Sequence, residues 1–221
     1  MSDILRLYSY WRSSAAYRVR IALNLKQLKY DYIAVNLIEG GGQQHQTSFH
    51  KLNPQERVPV LMDGERIVRQ SLAIIEYLEE TYSDRGHALM PPTARERARV
   101  RALAQLVACD IHPLNNLAVL EQLEQQFFAT VRQKEAWMQH WIQNGFAALE
   151  ELLISNPATG EFCEGDEPTM ADCCVVPQVY NALRYGVDLG AYPTIRRIYE
   201  RCLKMDEFIA AAPERQPDAP R

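Results

Sequence analysis

Apolar and polar residues follow two kinds of pattern through the first eighty positions of the chain. Residues 4–10 have the composition and alternation of a strand, and residues 14–25 carry apolar side chains every three to four positions, which predicts a helix. The pattern then predicts a strand at 30–35, a hairpin over 58–68 that turns at Asp63 and Gly64, and a helix at 71–81. The order βαβ followed by ββα predicts an α/β N-terminal domain.

Helical periodicity replaces this alternation in the second half of the chain. Residues 94–128 predict one long or broken helix, with a kink at Pro113 because proline interrupts the helical hydrogen bonds. A second helix is predicted over 134–154. Thr169 and Asp172 have the spacing of a capping box, which predicts that a further helix begins there.

Three segments without periodicity separate or end these elements. Residues 39–53 are polar and predict a long loop, whereas residues 83–93 include two consecutive prolines and predict a linker. The proline-rich tail from Pro213 predicts little regular structure. We therefore expect an α/β domain at 1–82 and an all-helical domain at 94–221.

Composition narrows the classes of function. The 221 residues carry a formal net charge of −4 without a run of Lys and Arg, so neither a nucleic-acid nor a membrane partner is expected. No stretch approaches the roughly 18 apolar residues of a spanning helix, and no apolar leader is expected. The five cysteines form no Cys-x-x-Cys pair, which predicts no disulfide framework, no metal site and a reducing cytoplasmic location.

The junction between the first strand and the first helix carries the most informative chemistry. Ser13 and Ser14 fall where the helix begins, and there the exposed N–H groups and the helix dipole favour a negative charge. The element order is thioredoxin-like, and redox proteins of that fold place a Cys-x-x-Cys pair at this point, whereas residues 13–16 here are Ser-Ser-Ala-Ala. This site can stabilise a thiolate only if a cofactor supplies the sulfur, which points to glutathione.

Two further segments resemble the glutathione-binding domain of soluble glutathione transferases. Residues 58–61 read Val-Pro-Val-Leu, and after a turn residues 70–78 read Gln-Ser-Leu-Ala-Ile-Ile-Glu-Tyr-Leu. The runs at 13–23 and 36–44 narrow the resemblance to the zeta class, although that class usually has Cys where this chain has Ala15. The resemblance continues through three later segments, at 113–117, 166–172 and 215–218.

This resemblance implies how the thiol and its peptide backbone are held. Ser13 would face the sulfur, because it corresponds to the zeta-class serine thought to do so, and Ser14 is the second choice. Val58 and Pro59 match the position of a cis-proline in these transferases. A cis bond would turn the Val58 peptide outward to pair with the cysteinyl backbone of glutathione, like an added strand.

The ends of glutathione have their own expected partners. Gln70 and Ser71 stand at a predicted helix start, which suits the γ-glutamyl carboxylate. Gln44 and the histidine that follows it are weaker candidates for the glycyl end, with solvated loop polarity as the alternative. His112 and Asn116 match polar zeta-class positions that face glutathione, although the class more often has Gln in place of this histidine.

The resemblance also implies a reaction and a substrate class. Zeta-class enzymes isomerise a cis double bond conjugated to a carbonyl: a thiolate adds to the alkene, the resulting single bond rotates, and elimination returns glutathione. Their substrates are dianions, so cations are expected at both ends. Arg12 lies next to the thiolate site, and Arg184 matches the zeta-class arginine proposed to bind a carboxylate through its planar guanidinium.

The expected function is therefore a dimeric cytoplasmic isomerase that converts maleylacetoacetate to fumarylacetoacetate in tyrosine and phenylalanine breakdown. Maleylpyruvate, a shorter dianion, is the alternative substrate, and a general transferase activity of the zeta class is a further alternative. A non-catalytic binding protein with the same fold is a rival of another class. A glutaredoxin-like reductase is disfavoured because the helix start has no cysteine.

Overall fold

The computed structural model describes residues 4–220 and divides the chain into two compact units. The first unit combines Met1–Met90 with Leu203–Arg221, and the second is Pro91–Cys202. This division differs from the expected one, in which all of residues 94–221 form the helical domain, because the last residues pack with the N-terminal part of the chain. Their short helix, Asp206–Ala211, lies against the helix Ser14–Leu25.

Within residues 4–220, the first unit contains a four-stranded sheet in the order β2-β1-β3-β4. Its strands are β1 (Leu5–Ser9), β2 (Tyr30–Ala34), β3 (Val60–Asp63) and β4 (Arg66–Arg69). Its helices are α1 (Ser14–Leu25), α2 (Thr47–Leu52), α3 (Ser71–Thr81) and α9 (Asp206–Ala211). Strands β1 and β2 are parallel, whereas β3 is antiparallel to β1 and to β4. The thioredoxin-like layout predicted from the sequence is confirmed.

Helix α1 is buried on more sides than its apolar pattern predicts. Ala16, Val19 and Leu23 are fully buried, as expected for the apolar face. The side chains of Arg18 and Arg20 are also buried, at 2% and 0% exposure. Buried guanidinium groups need hydrogen-bond acceptors, so these two arginines must organise polar groups inside the unit.

Two local predictions in this unit are wrong in detail. The segment 39–53 is not a structureless loop, because it contains two 3₁₀ turns and helix α2, which the buried ring of Phe49 anchors. The hairpin turns at Gly64 and Glu65 rather than at Asp63 and Gly64, because Asp63 still pairs with Arg66 in the ladder. Gly64 adopts a φ of 58°, the left-handed conformation that glycine tolerates without a steric penalty.

The second unit is helical over its described residues. Its helices are α4 (Ala94–Gln105), α5 (Leu117–Phe127), α6 (Val131–Ile154), α7 (Met170–Arg184) and α8 (Pro193–Cys202). The helix predicted over 94–128 is broken, as one of the two expectations had it. A π-helical turn, Leu106–Ile111, and a 3₁₀ turn, His112–Asn115, separate α4 from α5, so the break begins before Pro113.

The capping box predicted for α7 is present. The Asp172 carboxylate accepts from the Thr169 N–H at 2.8 Å, and its other oxygen accepts from the Cys163 N–H at 2.9 Å. The Thr169 hydroxyl accepts from the Ala171 N–H at 3.2 Å. Burial raises the pKa of the Asp172 carboxyl, against the opposing effect of these hydrogen bonds.

Two further observations bear on the expected class of protein. All five cysteines are free thiols, and those other than Cys109 are buried. Within residues 4–220, no helix has both the length and the apolar character needed to cross a bilayer.

Candidate active site

Four chain connections meet at one edge of the sheet in the first unit. Tyr8 pairs with Val60, and Val60 pairs with Arg69, so the end of β1 lies beside the start of β3 and the end of β4. The parallel strand β2 ends at the same edge, where Ala34 pairs with Ser9. The residues of this unit predicted to hold glutathione all lie in segments that adjoin this edge: Ser13, Ser14, Gln44, Val58, Pro59, Gln70 and Ser71.

The two serines stand at the start of α1, as the sequence predicts. Ser13 is the N-cap residue, and its Oγ accepts from the Ala16 N–H at 3.2 Å. Ser14 is the first residue of the helix and is half-buried. The positive end of the helix dipole therefore faces the region in front of Ser13, where an anion is stabilised.

The peptide bond between Val58 and Pro59 is cis, as expected from the resemblance. Both residues are buried, and they immediately precede β3. Their peptide groups thus lie just beyond the last ladder pair of β1 and β3, Tyr8 with Val60. A ligand backbone placed there would extend the sheet in the manner of an added strand.

Gln70 and Ser71 form the start of α3. Gln70 has a φ of 69°, a conformation uncommon for residues other than glycine and often found at functional sites. Its Nε2 donates to the Oε1 of Gln55 at 2.6 Å. The buried Ser71 hydroxyl accepts from the Nη1 of Arg18 at 3.2 Å, so a buried cation lies beneath the helix start where a carboxylate is expected.

Gln44 differs from a solvated loop residue, because its side chain is buried at 6% exposure. Its Nε2 donates to the Leu37 carbonyl at 3.2 Å and lies 3.0 Å from the Nε2 of His45. The Gln44 Oε1 is buried without a hydrogen-bond partner among residues 4–220. A buried acceptor of this kind calls for a donor, such as an N–H group of a ligand.

A carboxylate fixes the neighbouring histidines. Glu56 contacts the Nδ1 of His45 at 2.6 Å with one oxygen and the Nδ1 of His50 at 2.8 Å with the other. The hydrogen bonds from His45 and His50, of which the one from His45 has the larger effect, lower the pKa of Glu56 below its ordinary value. Because His45 contacts Gln44, this exposed cluster connects α2 to the buried amide.

The remaining candidate site residues are Arg12, His112, Asn116 and Arg184. Arg12 stacks its guanidinium 5.8 Å from the centre of the Trp11 ring. In the second unit, His112 begins the 3₁₀ turn, and Asn116 caps α5 by accepting from the Ala118 N–H at 3.1 Å. Arg184 is the exposed last residue of α7, with its guanidinium 5.1 Å from the centre of the Tyr185 ring.

Sequence reasoning missed Arg18, whose guanidinium donates to the hydroxyl of Ser71, a candidate glutathione-binding residue. The only signal was the run Arg18-Val19-Arg20 inside an otherwise apolar helix, which amphipathic periodicity alone assigns to a solvated face. Among the described residues, no group of three or more His, Cys, Asp or Glu side chains is arranged to hold a metal ion.

Comparison with known proteins identifies the family. Residues 7–86 match the glutathione S-transferase N-terminal domain. A probable maleylacetoacetate isomerase from Vibrio cholerae is 52% identical over 215 residues, an alignment that covers 97% of this chain and 98% of that protein. The solved structure of a maleylpyruvate isomerase, a bacterial glutathione S-transferase of the zeta class, has a TM-score of 0.93 at 47% identity and covers 97% of this chain and 100% of its own.

A second solved structure adds ligands to the comparison. It is a maleylacetoacetate isomerase from Methylobacterium extorquens AM1 with bound malonate and glutathione, with a TM-score of 0.93 at 41% identity. The alignment covers 98% of this chain and 100% of that one. The residues present here fit glutathione, because the buried Gln44 Oε1 needs a donor and the α1 and α3 helix starts suit its thiolate and carboxylate. The chain therefore belongs to the glutathione transferase family and, within it, to the zeta class of glutathione-dependent isomerases.

Proposed function

We propose that this enzyme converts maleylacetoacetate to fumarylacetoacetate in the breakdown of tyrosine and phenylalanine. The observation that carries the proposal is the helix start at Ser13, a thiolate-stabilising site without a cysteine in residues 13–16. Bound glutathione supplies the sulfur nucleophile that adds to the double bond and leaves again after rotation. The similarity to isomerases of maleyl dicarboxylates supports the choice of substrate.

The chain's part in this chemistry is to keep the sulfur ionised. A free thiol with a pKa near 8.5 is only a few per cent thiolate at neutral pH. Lowering this pKa by about two units corresponds to roughly 2.7 kcal/mol in favour of the charged form. A hydroxyl hydrogen bond from Ser13 together with the α1 dipole supplies an effect of that size, with Ser14 as the second donor.

Separate residues bind the rest of glutathione in this proposal. The Val58 peptide, beside the cis bond to Pro59, pairs with the cysteinyl backbone. Ser71 and the Gln70 peptide hold the γ-glutamyl carboxylate, with the charge of Arg18 beneath them. Gln44 accepts an N–H of the glycyl end through Oε1.

Four further side chains take part in the proposed chemistry. Arg12 and Arg184 each bind a carboxylate of the dianionic substrate, because a guanidinium offers two parallel donors. His112 contributes a ring nitrogen toward glutathione. Asn116 uses Oδ1 for the α5 cap, so its Nδ2 group is the donor available to a ligand.

Maleylpyruvate is the second candidate substrate, since the zeta-class maleylpyruvate isomerase is 47% identical to this chain. An absorbance assay that offers both maleyl substrates, with and without glutathione, separates the two. The proposal expects glutathione-dependent turnover of both, with the higher kcat/KM for maleylacetoacetate. A higher kcat/KM for maleylpyruvate would reassign the substrate, and turnover of neither would overturn the proposal.

We also propose a cytoplasmic homodimer. The location is supported by the five free cysteines, which suit a reducing compartment. The dimer is supported by membership of the transferase family. Sedimentation velocity of the purified chain tests it, and a single species at the mass of one 25.4 kDa chain would contradict it.

A further inference from the structure

The C-terminal tail is tied into the first unit although it has little regular structure. Gln216 is buried, and its Nε2 donates to the carbonyls of Ala210 at 3.0 Å and Ala212 at 2.8 Å. These bonds hold the tail against the end of α9. The tail carries Arg215-Gln216-Pro217-Asp218, a zeta-class segment to which the proposed chemistry assigns no role.

Asp218 bonds to the turn that places the candidate thiolate serine. The turn runs from Tyr10 to Ser13 and is closed by a hydrogen bond from the Ser13 N–H to the Tyr10 carbonyl at 3.0 Å. Inside it, the Trp11 N–H donates to Asp218 Oδ2 at 3.0 Å. The other carboxylate oxygen, Oδ1, accepts from the Tyr32 hydroxyl at 2.6 Å. The Asp218 side chain, 207 residues after Trp11 in the sequence, thus joins β2 to the turn.

Arg20 holds the same turn from the inside of the unit. Its Nη2 donates to the Trp11 carbonyl at 3.0 Å and its Nη1 to the Tyr10 carbonyl at 3.3 Å. Its Nε donates to the Ala211 carbonyl at 3.0 Å, at the end of α9. The turn is therefore fixed by a buried cation on its carbonyls and by the tail carboxylate on its N–H.

The position of the Ser13 hydroxyl depends on this turn. Ser13 follows the turn directly and begins the cap of α1, so a shift of the turn moves its Oγ relative to a bound sulfur. The strength of a hydrogen bond falls steeply with distance and angle. A less ordered turn therefore leaves the thiolate less stabilised, even when the serine itself is unchanged.

We propose that Asp218 is a positioning residue for the thiolate site, acting through the Trp11 N–H on the turn that carries Ser13. The inference rests on the role of Ser13 in the proposed function. It assigns to the tail a part in catalysis, in addition to its part in the packing of the unit. The tail would accordingly set how strongly the enzyme ionises its bound thiol.

The experiment measures the pKa of the glutathione thiol bound to the Asp218→Asn variant. Asparagine keeps the shape but is uncharged, so the Trp11 N–H no longer donates to a charged oxygen and the hydrogen bond that holds the turn is weakened. We expect the bound thiol pKa, read from thiolate absorbance against pH, to rise by about half a unit to one unit. At pH 7 kcat/KM should fall about 1.5- to threefold, and the loss should disappear at high pH where the thiol is ionised anyway.

The sign of the shift separates positioning from plain charge. Removing a negative charge near a thiolate would, on Coulombic grounds alone, lower the thiol pKa. The Asp31→Asn variant, which neutralises an exposed carboxylate on β2, is the matched control and should leave the pKa unchanged. Tyr32→Phe removes the second donor and should give a smaller rise than Asp218→Asn. The double variant should not be additive, because both changes act through one carboxylate.

Parallel measurements keep the inference distinguishable from the role of Ser13. A bound thiol pKa that is unchanged or lowered in Asp218→Asn would overturn the inference, whatever happens to the melting temperature. If Ser13→Ala raises the thiol pKa while Asp218→Asn does not, only the inference fails. If Ser13→Ala leaves the thiol pKa unchanged, the proposed role of Ser13 fails, and the inference about Asp218 fails as well because it rests on that role. Should Asp218→Asn not fold, Tyr32→Phe provides the same readout with the carboxylate retained.

Discussion

Ser13 is the residue on which the proposed chemistry depends most directly. Ser13→Ala should lower kcat/KM by up to about 25-fold at pH 7, because losing the whole depression of about two units would lower the thiolate fraction of bound glutathione from about three quarters to about 3%. The dissociation constant of glutathione should change only a few-fold, since binding rests on Val58, Gln70 and Ser71.

Steady-state kinetics together with calorimetric titration of glutathione check this expectation. Ser14→Ala is the matched variant one position along, and it should retain most of the activity. If the two variants behave in the opposite way, the roles of the serines are exchanged. Normal turnover in both would contradict the thiolate model.

Arg18 gives a second test at the residue scale. Its guanidinium donates to Ser71 in the candidate site, although Arg18 does not belong to the apolar face of α1 that the sequence predicts to be buried. Arg18→Met removes the donor to the Ser71 hydroxyl and the positive charge beneath the α3 start. We expect the dissociation constant of glutathione to rise about tenfold, the lower part of the range for a charge-assisted hydrogen bond, while kcat changes little. Arg6→Met, on the exposed face of β1, is the control. An unchanged dissociation constant would assign Arg18 to folding alone.

Arg184 tests the substrate class. If it binds a carboxylate of a dianion, Arg184→Ala should raise KM and lower kcat/KM. The expected loss of transition-state stabilisation is roughly 2–3 kcal/mol, and Lys at this position should restore part of it. Arg132→Ala, an exposed arginine of α6, should have no effect. Kinetics on a neutral acceptor of glutathione provide the comparison. Equal losses on charged and neutral substrates would instead give Arg184 a structural role.

At the scale of the elements, the start of α7 depends on one buried carboxylate. Asp172→Asn replaces an acceptor with an N–H₂ group facing backbone donors, so the variant should lose about 2–4 kcal/mol of unfolding free energy. Asp188→Asn alters an exposed cap of a short 3₁₀ turn and should cost less than about 1 kcal/mol. Urea denaturation measures both. Equal effects would show that the buried network adds nothing to an ordinary cap.

Helix α2 carries a pH-dependent contact through Glu56. Its pKa is lowered in the folded chain, so its contribution to stability is present above the pKa of the unfolded state. This contribution is lost as the pH falls through the lower, folded pKa. The stability difference between the native chain and Glu56→Gln should therefore be positive at pH 6 and shrink below about pH 4. A difference that is constant over this range would contradict the assigned pKa shift.

The sequence predicted most elements because their patterns are local. The α3 bounds, the α7 capping box and the serine helix start follow from periodicity and cap chemistry alone. Helix α2 was missed, since six residues with one buried phenylalanine are too short for a periodic signal. Pro113 predicted a kink, but the π-helical turn before it depends on tertiary packing that periodicity does not contain.

At the scale of the whole chain, long-range contacts account for what the sequence could not predict. Arg18 and Arg20 look like surface residues in sequence, yet they bond to Ser71 and to the end of α9 inside the first unit. The tail appeared irregular, yet Asp218 bonds to the turn beside Ser13. Such partners lie 53 to 207 residues away, so only the folded topology places them together. The rival interpretation as a non-catalytic binding protein is set aside by the isomerases that match nearly the whole chain.

The measurement that tests the proposed chemistry most directly follows free thiol during the turnover of maleylacetoacetate. The enzyme is supplied with glutathione far below the substrate concentration, and substrate, product and total free thiol are recorded together. We predict that all of the substrate becomes the trans isomer while total free thiol stays constant, because the cofactor is regenerated in every cycle. Loss of thiol in proportion to product, or isomerisation in the absence of glutathione, would contradict the proposed function.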